Sequence, residues 1–356
     1  MTSPQARAAA FCDRFGLQLP ILLAPMAGAC PPSLSIAVAE AGGMGACGAL
    51  LMSPSMIGEW VNEFRSSGNQ ALQLNLWVPD PPPERDNQHE AAVRAFLGQW
   101  GPAVPPEAGD AAPLDFQAQC QALLAAAPPV VSSIMGLYPP VFVSELKQRG
   151  ITWFATITTV SEAVEAEAAG ADVIVAQGYE AGGHRAAFDA ARAEHEAVGL
   201  LSLLPAVVDA VRIPVVATGG IGDGRGIAAA LALGASAAQI GTGFLRSPES
   251  TIHPAWASAL ATTRPEGTRV TRAFSGRPGR SIATDYVRAA MAPGAPDPAP
   301  YPIQRGLTAL MREAGQRAGD VQRMQVWAGQ SASLARAEPA AAIVQRVWAQ
   351  ANGLLH

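Results

Sequence analysis

The segment from Gln177 to Arg185, which reads QGYEAGGHR, is the part of the chain best suited to chemistry. It directly follows the apolar run Asp172–Ala176, so a buried strand is predicted to end in a glycine-containing turn that presents His184. An imidazole titrates near neutrality, which suits an acid, a base or a hydrogen-bond donor to substrate. A histidine bonded to a loop carbonyl is the plainer alternative. Because parallel barrels carry their chemistry at strand ends, we predict that His184 is catalytic.

Two further segments place glycines at the ends of predicted strands. One is Ala217-Thr218-Gly219-Gly220-Ile221, and the other is Gln239-Ile240-Gly241-Thr242. A phosphate needs several backbone N–H groups, and glycine lets the backbone approach because it has no Cβ. A single Gly-Gly pair could simply form a tight turn. Two such segments on adjacent strand ends favour a phosphate-bearing ligand.

The ends of other strands carry weaker signals. Ala24-Pro25-Met26 ends the first strand, and the Met26 thioether could lie against a flat ring, although core packing alone would explain this segment. Asn75 and Gln177 are amides inside apolar strands. Their burial would be unfavourable without hydrogen-bond partners, which a ligand at the strand ends could supply.

The chain between Pro20 and Thr242 alternates short apolar runs with Ala-rich helical patterns. Strands apolar on consecutive residues are typical of parallel sheets buried on both faces. Eight strands are predicted: Pro20–Met26, Met44–Ala49, Leu72–Trp77, Val130–Met135, Thr152–Thr158, Asp172–Gln177, Pro214–Gly219 and Ala237–Gly241. Between them lie predicted helices, among them Ser33–Ala41, Pro140–Arg149, Ser161–Ala169 (capped by Ser161) and Gly224–Leu233. This α/β pattern predicts a (β/α)8 barrel. A doubly wound sheet is the alternative, but the first strand is not followed by GxGxxG.

Three parts of the chain are expected. Residues 1–252 form the barrel, with a long excursion over Pro79–Pro113 that has one helical patch near Glu90–Gln99. Residues 253–335 form a smaller helical domain over the barrel mouth. Residues 336–356 form a closing amphipathic helix that packs back on the barrel.

Composition excludes several classes of function. The 356 residues carry a net charge of −5 without a basic stripe, which argues against a nucleic-acid partner. The four cysteines form no CxxC pair, so neither a metal site nor a disulfide framework is expected. No signal-peptide core and no membrane-length apolar run is visible, so we expect a cytoplasmic protein, as a monomer or homodimer. The other histidines, expected to be solvated, are His89, His195, His253 and His356.

These residues together resemble class I nitronate monooxygenases, formerly called 2-nitropropane dioxygenases. The resemblance covers most of the chain and includes the segments at Ala24, Asn75, Glu180–Arg185, Gly219 and Gln239. It extends to Ala273–Pro278, Tyr301–Gln304 and Trp327–Gln330. The Glu-Ala-Gly-Gly-His segment is shared with flavin-dependent enoyl-ACP reductases, whereas the later motifs favour nitronate oxidation. Two departures from the family pattern are Ala186 and Thr218.

The resemblance implies a barrel that binds FMN and no metal. The implied cofactor-binding residues are Ala24, Pro25, Met26, Asn75, Gln177, Gly182, Gly183, Gly219, Gly220, Gln239, Ile240, Gly241 and Thr242. His184 would face the substrate, chiefly as a hydrogen-bond donor to an anionic nitro group, and as a base for a neutral nitroalkane.

The implied reaction uses O2 to convert an alkyl nitronate, such as propionate 3-nitronate, to a carbonyl compound with nitrite or nitrate. A substrate carboxylate would be met by Arg277, Arg280 or Arg305, with Tyr301 as a hydroxyl donor. Three alternatives stay open: an NAD(P)H-using enoyl-thioester reductase with FMN, a non-catalytic flavin-binding barrel, and a phosphosugar barrel without flavin.

Overall fold

The structure, a computed structural model, describes residues 3–355 and is built around eight parallel strands. Nearly every residue of these strands is buried, as expected for a sheet covered on both faces. The barrel strands are β1 (Ile21–Leu23), β2 (Gly45–Gly48), β3 (Leu72–Trp77), β4 (Val130–Ile134), β5 (Thr152–Ile157), β6 (Val173–Gln177), β8 (Val215–Thr218) and β9 (Ala237–Ile240). Each overlaps one predicted strand. The predicted ends extend up to three residues beyond the strands, most at the carboxyl end of β1.

Hydrogen bonds close the sheet into a barrel. The strand order runs β1-β9-β8-β6-β5-β4-β3-β2. The first and last strands meet where the Met44 amide donates to the Ile21 carbonyl (3.0 Å) and the Leu23 amide donates to the Met44 carbonyl (2.9 Å). The predicted (β/α)8 barrel is therefore confirmed.

Helices surround the barrel and cover one of its ends. Helix α1 presses Phe11 and Cys12 against Leu22, Phe154 and other residues in the barrel interior. This closes the amino-terminal end, which leaves the carboxyl ends of the strands for a site. The helices are α1 (Pro4–Phe15), α2 (Pro32–Glu40), α3 (Pro54–Arg65), α4 (Asn87–Leu97), α5 (Phe116–Ala126), α6 (Pro140–Gln148), α7 (Val160–Ala168), α8 (Leu200–Ala210), α9 (Gly224–Ala232), α10 (Pro254–Thr262), α11 (Asp285–Ala290), α12 (Ile303–Leu307), α13 (Ala309–Ala318) and α14 (Ala340–Leu355).

Two outer helices bear on predictions. Helix α14 packs on α9 and α2, and it overlaps the segment Pro339–Ala351 in which a closing helix is expected. Helix α7 differs from its prediction at the first turn, because its cap is Thr159 and not Ser161. The Thr159 hydroxyl accepts from the Glu162 amide (3.2 Å), and Glu162 bonds back to the Thr159 amide (3.2 Å) in a capping box. No helix within residues 3–355 is long and apolar enough to cross a membrane.

The segment beyond the barrel contains helices and also a ribbon that periodicity did not predict. Strands β10 (Thr268–Thr271) and β11 (Gly279–Ile282) pair antiparallel, and β11 also pairs with β7 (Gly183–His184). Strand β7 belongs to the turn after β6, so the ribbon joins the later segment to the barrel. The predicted division into three domains stays a prediction.

Ion pairs of Arg85 join separate parts of the Pro79–Pro113 excursion. Arg85 lies 2.6 Å from the buried Glu90 and 2.7 Å from Asp110. The excursion contains α4, close to the predicted helical patch, and a short 3-10 turn over Pro106–Asp110 that contacts α12. The excursion thus lies against the later segment on the side of the carboxyl ends.

We expect Thr159→Ala to lower the free energy of unfolding by about 1 kcal/mol, because it removes the cap of α7. Ser161→Ala is the matched control and should change it by less than about 0.5 kcal/mol, since Ser161 is an exposed residue of the first turn. Urea unfolding followed by circular dichroism measures both. An equal loss in the two variants would contradict the assignment of the cap.

Candidate active site

A cavity of about 440 Å³ lies at the carboxyl ends of the barrel strands. Residues of β3, β4, β5, β6, β8 and β9 and the segment directly after β1 contribute to its wall, together with helices of the later segment. No described residue of its lining is an aspartate or a glutamate. The predicted site residues that line it are Ala24, Pro25, Met26, Asn75, Gln177, Gly182, Gly183, His184, Gly219, Gly220, Gln239, Gly241, Thr242, Tyr301 and Arg305.

Glycines shape one side of this cavity. Gly219 and Gly220 follow β8 with φ of 104° and 72°, a backbone conformation that other residues rarely adopt. Gly182 is required by contact, because a Cβ there would lie 2.5 Å from the Gly329 nitrogen. The Gly329 amide in turn donates to the Thr242 hydroxyl (3.0 Å). The turn after β6, the end of β9 and the Trp327–Gln330 segment therefore lie against one another.

The buried amides find partners within the protein itself. The Gln177 Oε1 accepts from the Ala186 amide (2.9 Å) and from Arg185 Nη1 (3.1 Å), while its Nε2 donates to the His184 carbonyl (3.1 Å). Asn75 Nδ2 donates to the Ser132 hydroxyl (3.0 Å). A ligand is therefore not needed to satisfy Gln177, whose side chain fixes the turn that carries His184.

His184 lies between two tryptophans. Its ring is 4.7 Å from that of Trp77 and 4.8 Å from that of Trp327. His184 Nε2 is 2.7 Å from the Ser275 hydroxyl, and that hydroxyl donates to the Arg277 carbonyl (3.2 Å). When the single Ser275 hydrogen is assigned to the Arg277 carbonyl, Nε2 carries the imidazole hydrogen and Nδ1 keeps a lone pair.

The surroundings keep this imidazole neutral. Burial, with a smaller contribution from the positive charges of Arg277 and Arg305, lowers the pKa of His184 from 6.5 to about 3. A protonated ring would need water or a carboxylate, and neither tryptophan supplies a negative group.

Two of the arginines considered for a substrate carboxylate are engaged elsewhere. Arg277 is 2 % exposed, pairs with Asp80 (3.3 Å) and donates to the Ala187 carbonyl (3.0 Å). Arg280 donates to the Tyr179 carbonyl (2.9 Å). Neither lines the cavity, which differs from the expectation. Ile240 does not line the cavity either, since its side chain is buried in the cluster that strands and surrounding helices form.

Several cavity residues were not predicted. Ser275 and Trp327 belong to the segments quoted for the resemblance, and Trp77 ends the strand that carries Asn75, but nothing in their spacing pointed to the His184 ring. Arg312, on α13, lines the cavity together with Arg305, on α12. Trp256 and His253 also line the cavity.

The other histidines are expected to be solvated, and the structure departs from this expectation at His253. His253 differs from the expectation of a solvated ring, because its Nδ1 caps α10 by accepting from the Ala255 amide (3.1 Å). His89 Nε2 is 2.7 Å from the Asp297 carbonyl, His195 is exposed, and His356 lies outside the described residues.

Comparison with known proteins decides the family. The family model described as nitronate monooxygenase matches residues 9–350. The chain belongs to the nitronate monooxygenase family. It is therefore an oxidoreductase. A nitronate monooxygenase from Paraburkholderia phytofirmans is 37% identical over 342 residues, covering 93% of this chain and 92% of that protein.

Solved structures share the fold. Nitroalkane oxidase from Streptomyces ansochromogenes superposes with a TM-score of 0.86 at 37% identity, covering 98% of this chain and 100% of that one. FabK from Thermotoga maritima gives a TM-score of 0.75 at 28% identity, covering 97% and 96%. The match extends over the later segment as well as the barrel, because nearly all of both chains is included.

We expect the His184 ring to stay neutral, with its hydrogen on Nε2, from about pH 8 down to about pH 5. A lowered pKa favours the neutral form at every pH above it, so the ring must not titrate near 6.5. Long-range ¹H–¹⁵N correlation spectra measure this, with His184→Gln to assign the signals. Half-protonation near pH 6.5 would contradict the account.

Proposed function

We propose that the protein uses FMN and O2 to oxidise alkyl nitronates to a carbonyl compound with nitrite or nitrate. The family relationship supports nitronate oxidation. The cavity itself is the observation that carries the finer proposal. It joins two glycine turns suited to a phosphate with Arg305, Arg312 and a neutral His184, and no described residue of its wall is acidic. Such a site favours anionic ligands.

The residues present fit FMN. A cavity of about 440 Å³ is in the range of small-molecule sites. We infer that backbone amides around Gly219, Gly220, Gly241 and Thr242 hold the phosphate, since a Cβ at the first two positions would be strained. The other residues proposed to contact the cofactor are Ala24, Pro25, Met26, Asn75, Gln177, Gly182, Gly183 and Gln239. FMN, when bound, would supply the electron acceptance that side chains lack.

The Ser275 contact refines the role expected for His184. With its hydrogen on Nε2, the ring offers a lone pair at Nδ1, which suits acceptance of a proton from a neutral nitroalkane. A base whose pKa is about 3 is weak, so such a substrate reacts poorly. A nitronate has already lost that proton, which makes it the better substrate.

A change of tautomer would let His184 act as a donor. If Ser275 donates to Nε2, the hydrogen moves to Nδ1, and only the 3.2 Å bond from Ser275 to the Arg277 carbonyl is lost. Nδ1 would then donate to an anionic nitro group without any charge on the ring. The two tryptophans keep water from the ring in either state.

Arg305 and Arg312 are proposed to meet a carboxylate on the substrate. Among residues 3–355, the half-buried Arg312 side chain donates only to neutral acceptors: the Thr308 hydroxyl (3.1 Å), the Arg305 carbonyl (2.9 Å) and Gln325 (3.3 Å). The Arg305 guanidinium makes no hydrogen bond or ion pair to any described residue. Tyr301 lines the same wall and offers a hydroxyl. This part of the cavity is therefore suited to a second negative group, as in propionate 3-nitronate.

The decisive test mixes the FMN-loaded protein anaerobically with propionate 3-nitronate, and with NADPH in a parallel cell. We expect the nitronate to change the flavin absorption spectrum and NADPH to leave it unchanged. Admission of O2 should restore the spectrum and release nitrite or nitrate. Rapid bleaching by NADPH alone would favour the enoyl-thioester reductase instead. A protein that releases no FMN on denaturation would contradict both.

We expect Arg305→Met and Arg312→Met each to raise KM for propionate 3-nitronate ten-fold or more, because a charged hydrogen bond contributes about 1.5–3 kcal/mol. KM for butyl-1-nitronate, which lacks the carboxylate, should change less than about three-fold. Arg317→Met is the control, since Arg317 lies on α13 and is exposed. Parallel losses on both substrates would contradict a carboxylate site.

A further inference from the structure

Arg185, the residue after His184, is a buried arginine with incomplete bonding. Its side chain is 1 % exposed. Nη1 donates to the Gln177 Oε1 (3.1 Å) and to the Gly178 carbonyl (2.9 Å). Nε and Nη2 are buried and have no hydrogen-bond partner among residues 3–355. The Tyr179 ring lies against the guanidinium, 5.2 Å from its carbon.

No carboxylate among residues 3–355 forms an ion pair with Arg185, although two are near enough to influence it. Glu162 is occupied by the Thr158 hydroxyl (2.9 Å) and the Phe188 amide (2.8 Å). Glu180 accepts from the Leu200 amide (2.9 Å) at the start of α8. Burial lowers the pKa of Arg185 to about 10, so the group stays charged at neutral pH. The turn therefore holds an uncompensated positive charge, which is unfavourable without a function.

This charge lies directly behind the cavity wall. Gln177 lines the cavity, and its Oε1 is the acceptor for Arg185 Nη1. The other two buried arginines near His184 differ. Arg277 is compensated by Asp80, and Arg280 bonds Tyr179 and Thr268, neither of which lines the cavity. Arg185 is thus a buried charge without an ion-pair partner, and the Gln177 side chain lies between it and the cavity.

We propose that Arg185 is a positioning residue that sets the reduction potential of the bound flavin. FMN, when bound, would accept electrons from the nitronate, and its reduced form would carry more negative charge than its oxidised form. A fixed positive charge in a medium of low polarity stabilises that added charge. Its position behind Gln177 keeps the guanidinium out of contact with substrate. This inference rests on the proposed function, since it requires FMN in the cavity.

The test is the midpoint potential of the FMN-loaded protein, measured by spectroelectrochemistry in wild type and in Arg185→Met. We expect the variant to shift the reduction equilibrium at least ten-fold towards oxidised flavin, which is about 30 mV for a two-electron couple. The dissociation constant for sulfite, which adds negative charge to the ring, should rise at least ten-fold as well. Arg185→Lys keeps the charge, so its reduction equilibrium constant and its dissociation constant for sulfite should both stay within about three-fold of the wild-type values.

Arg280→Met is the matched control, because it removes another buried arginine near His184. It should lower the free energy of unfolding without a comparable shift of the midpoint potential. If Arg185→Met does not fold, Arg185→Gln replaces it, since it keeps a donor for the Gly178 carbonyl without the charge. An unchanged potential in a neutral variant that holds FMN overturns the inference. Failure of the wild-type protein to bind FMN would instead contradict the proposed function.

Discussion

The site depends on the pairing of Gly183–His184 with Gly279–Arg280. This short antiparallel contact joins the turn after β6 to a ribbon from the later segment. Ser275 and Trp327 reach the His184 ring from that segment, so the ring's hydrogen-bond partner and one of its aromatic walls depend on the pairing. The barrel alone would leave the histidine on an open glycine turn. The later segment converts it into an enclosed, oriented and neutral group.

Charge is distributed unevenly around the cavity. Arginines lie on or just behind its wall, the described lining has no carboxylate, and the histidine at its centre stays unprotonated. Protein cavities seldom concentrate positive charge without compensation, because burial of an unpaired charge is unfavourable. The arrangement is consistent with ligands that bring negative charge, first in a phosphate and then in the substrate. His184 and Arg185 differ in charge at neutral pH: the His184 ring stays neutral, whereas the buried Arg185 stays positively charged.

Sequence periodicity predicted the barrel because short runs of consecutive apolar residues, alternating with helical patterns, are typical of parallel strands buried on both faces. It also predicted the strand ends at which Gly182, Gly219 and Gly241 lie. It failed where the outcome depends on long-range contact. The partners of Gln177 come from its own turn, Arg277 pairs with Asp80 about 200 residues earlier, and Ser275 meets His184 across the ribbon. Strands as short as β7 have no periodicity to detect, so the ribbon could not be predicted.

We propose that one end of the cavity binds a phosphate and that the other end meets the substrate. A crystal structure of the protein with FMN would show where the phosphate lies. We expect it within hydrogen-bond distance of backbone amides at Gly219–Gly220 and Gly241–Thr242, with the ring system extending towards His184. A phosphate bound instead by Arg305 and Arg312 would overturn this proposal, because it would leave no anion site for the substrate.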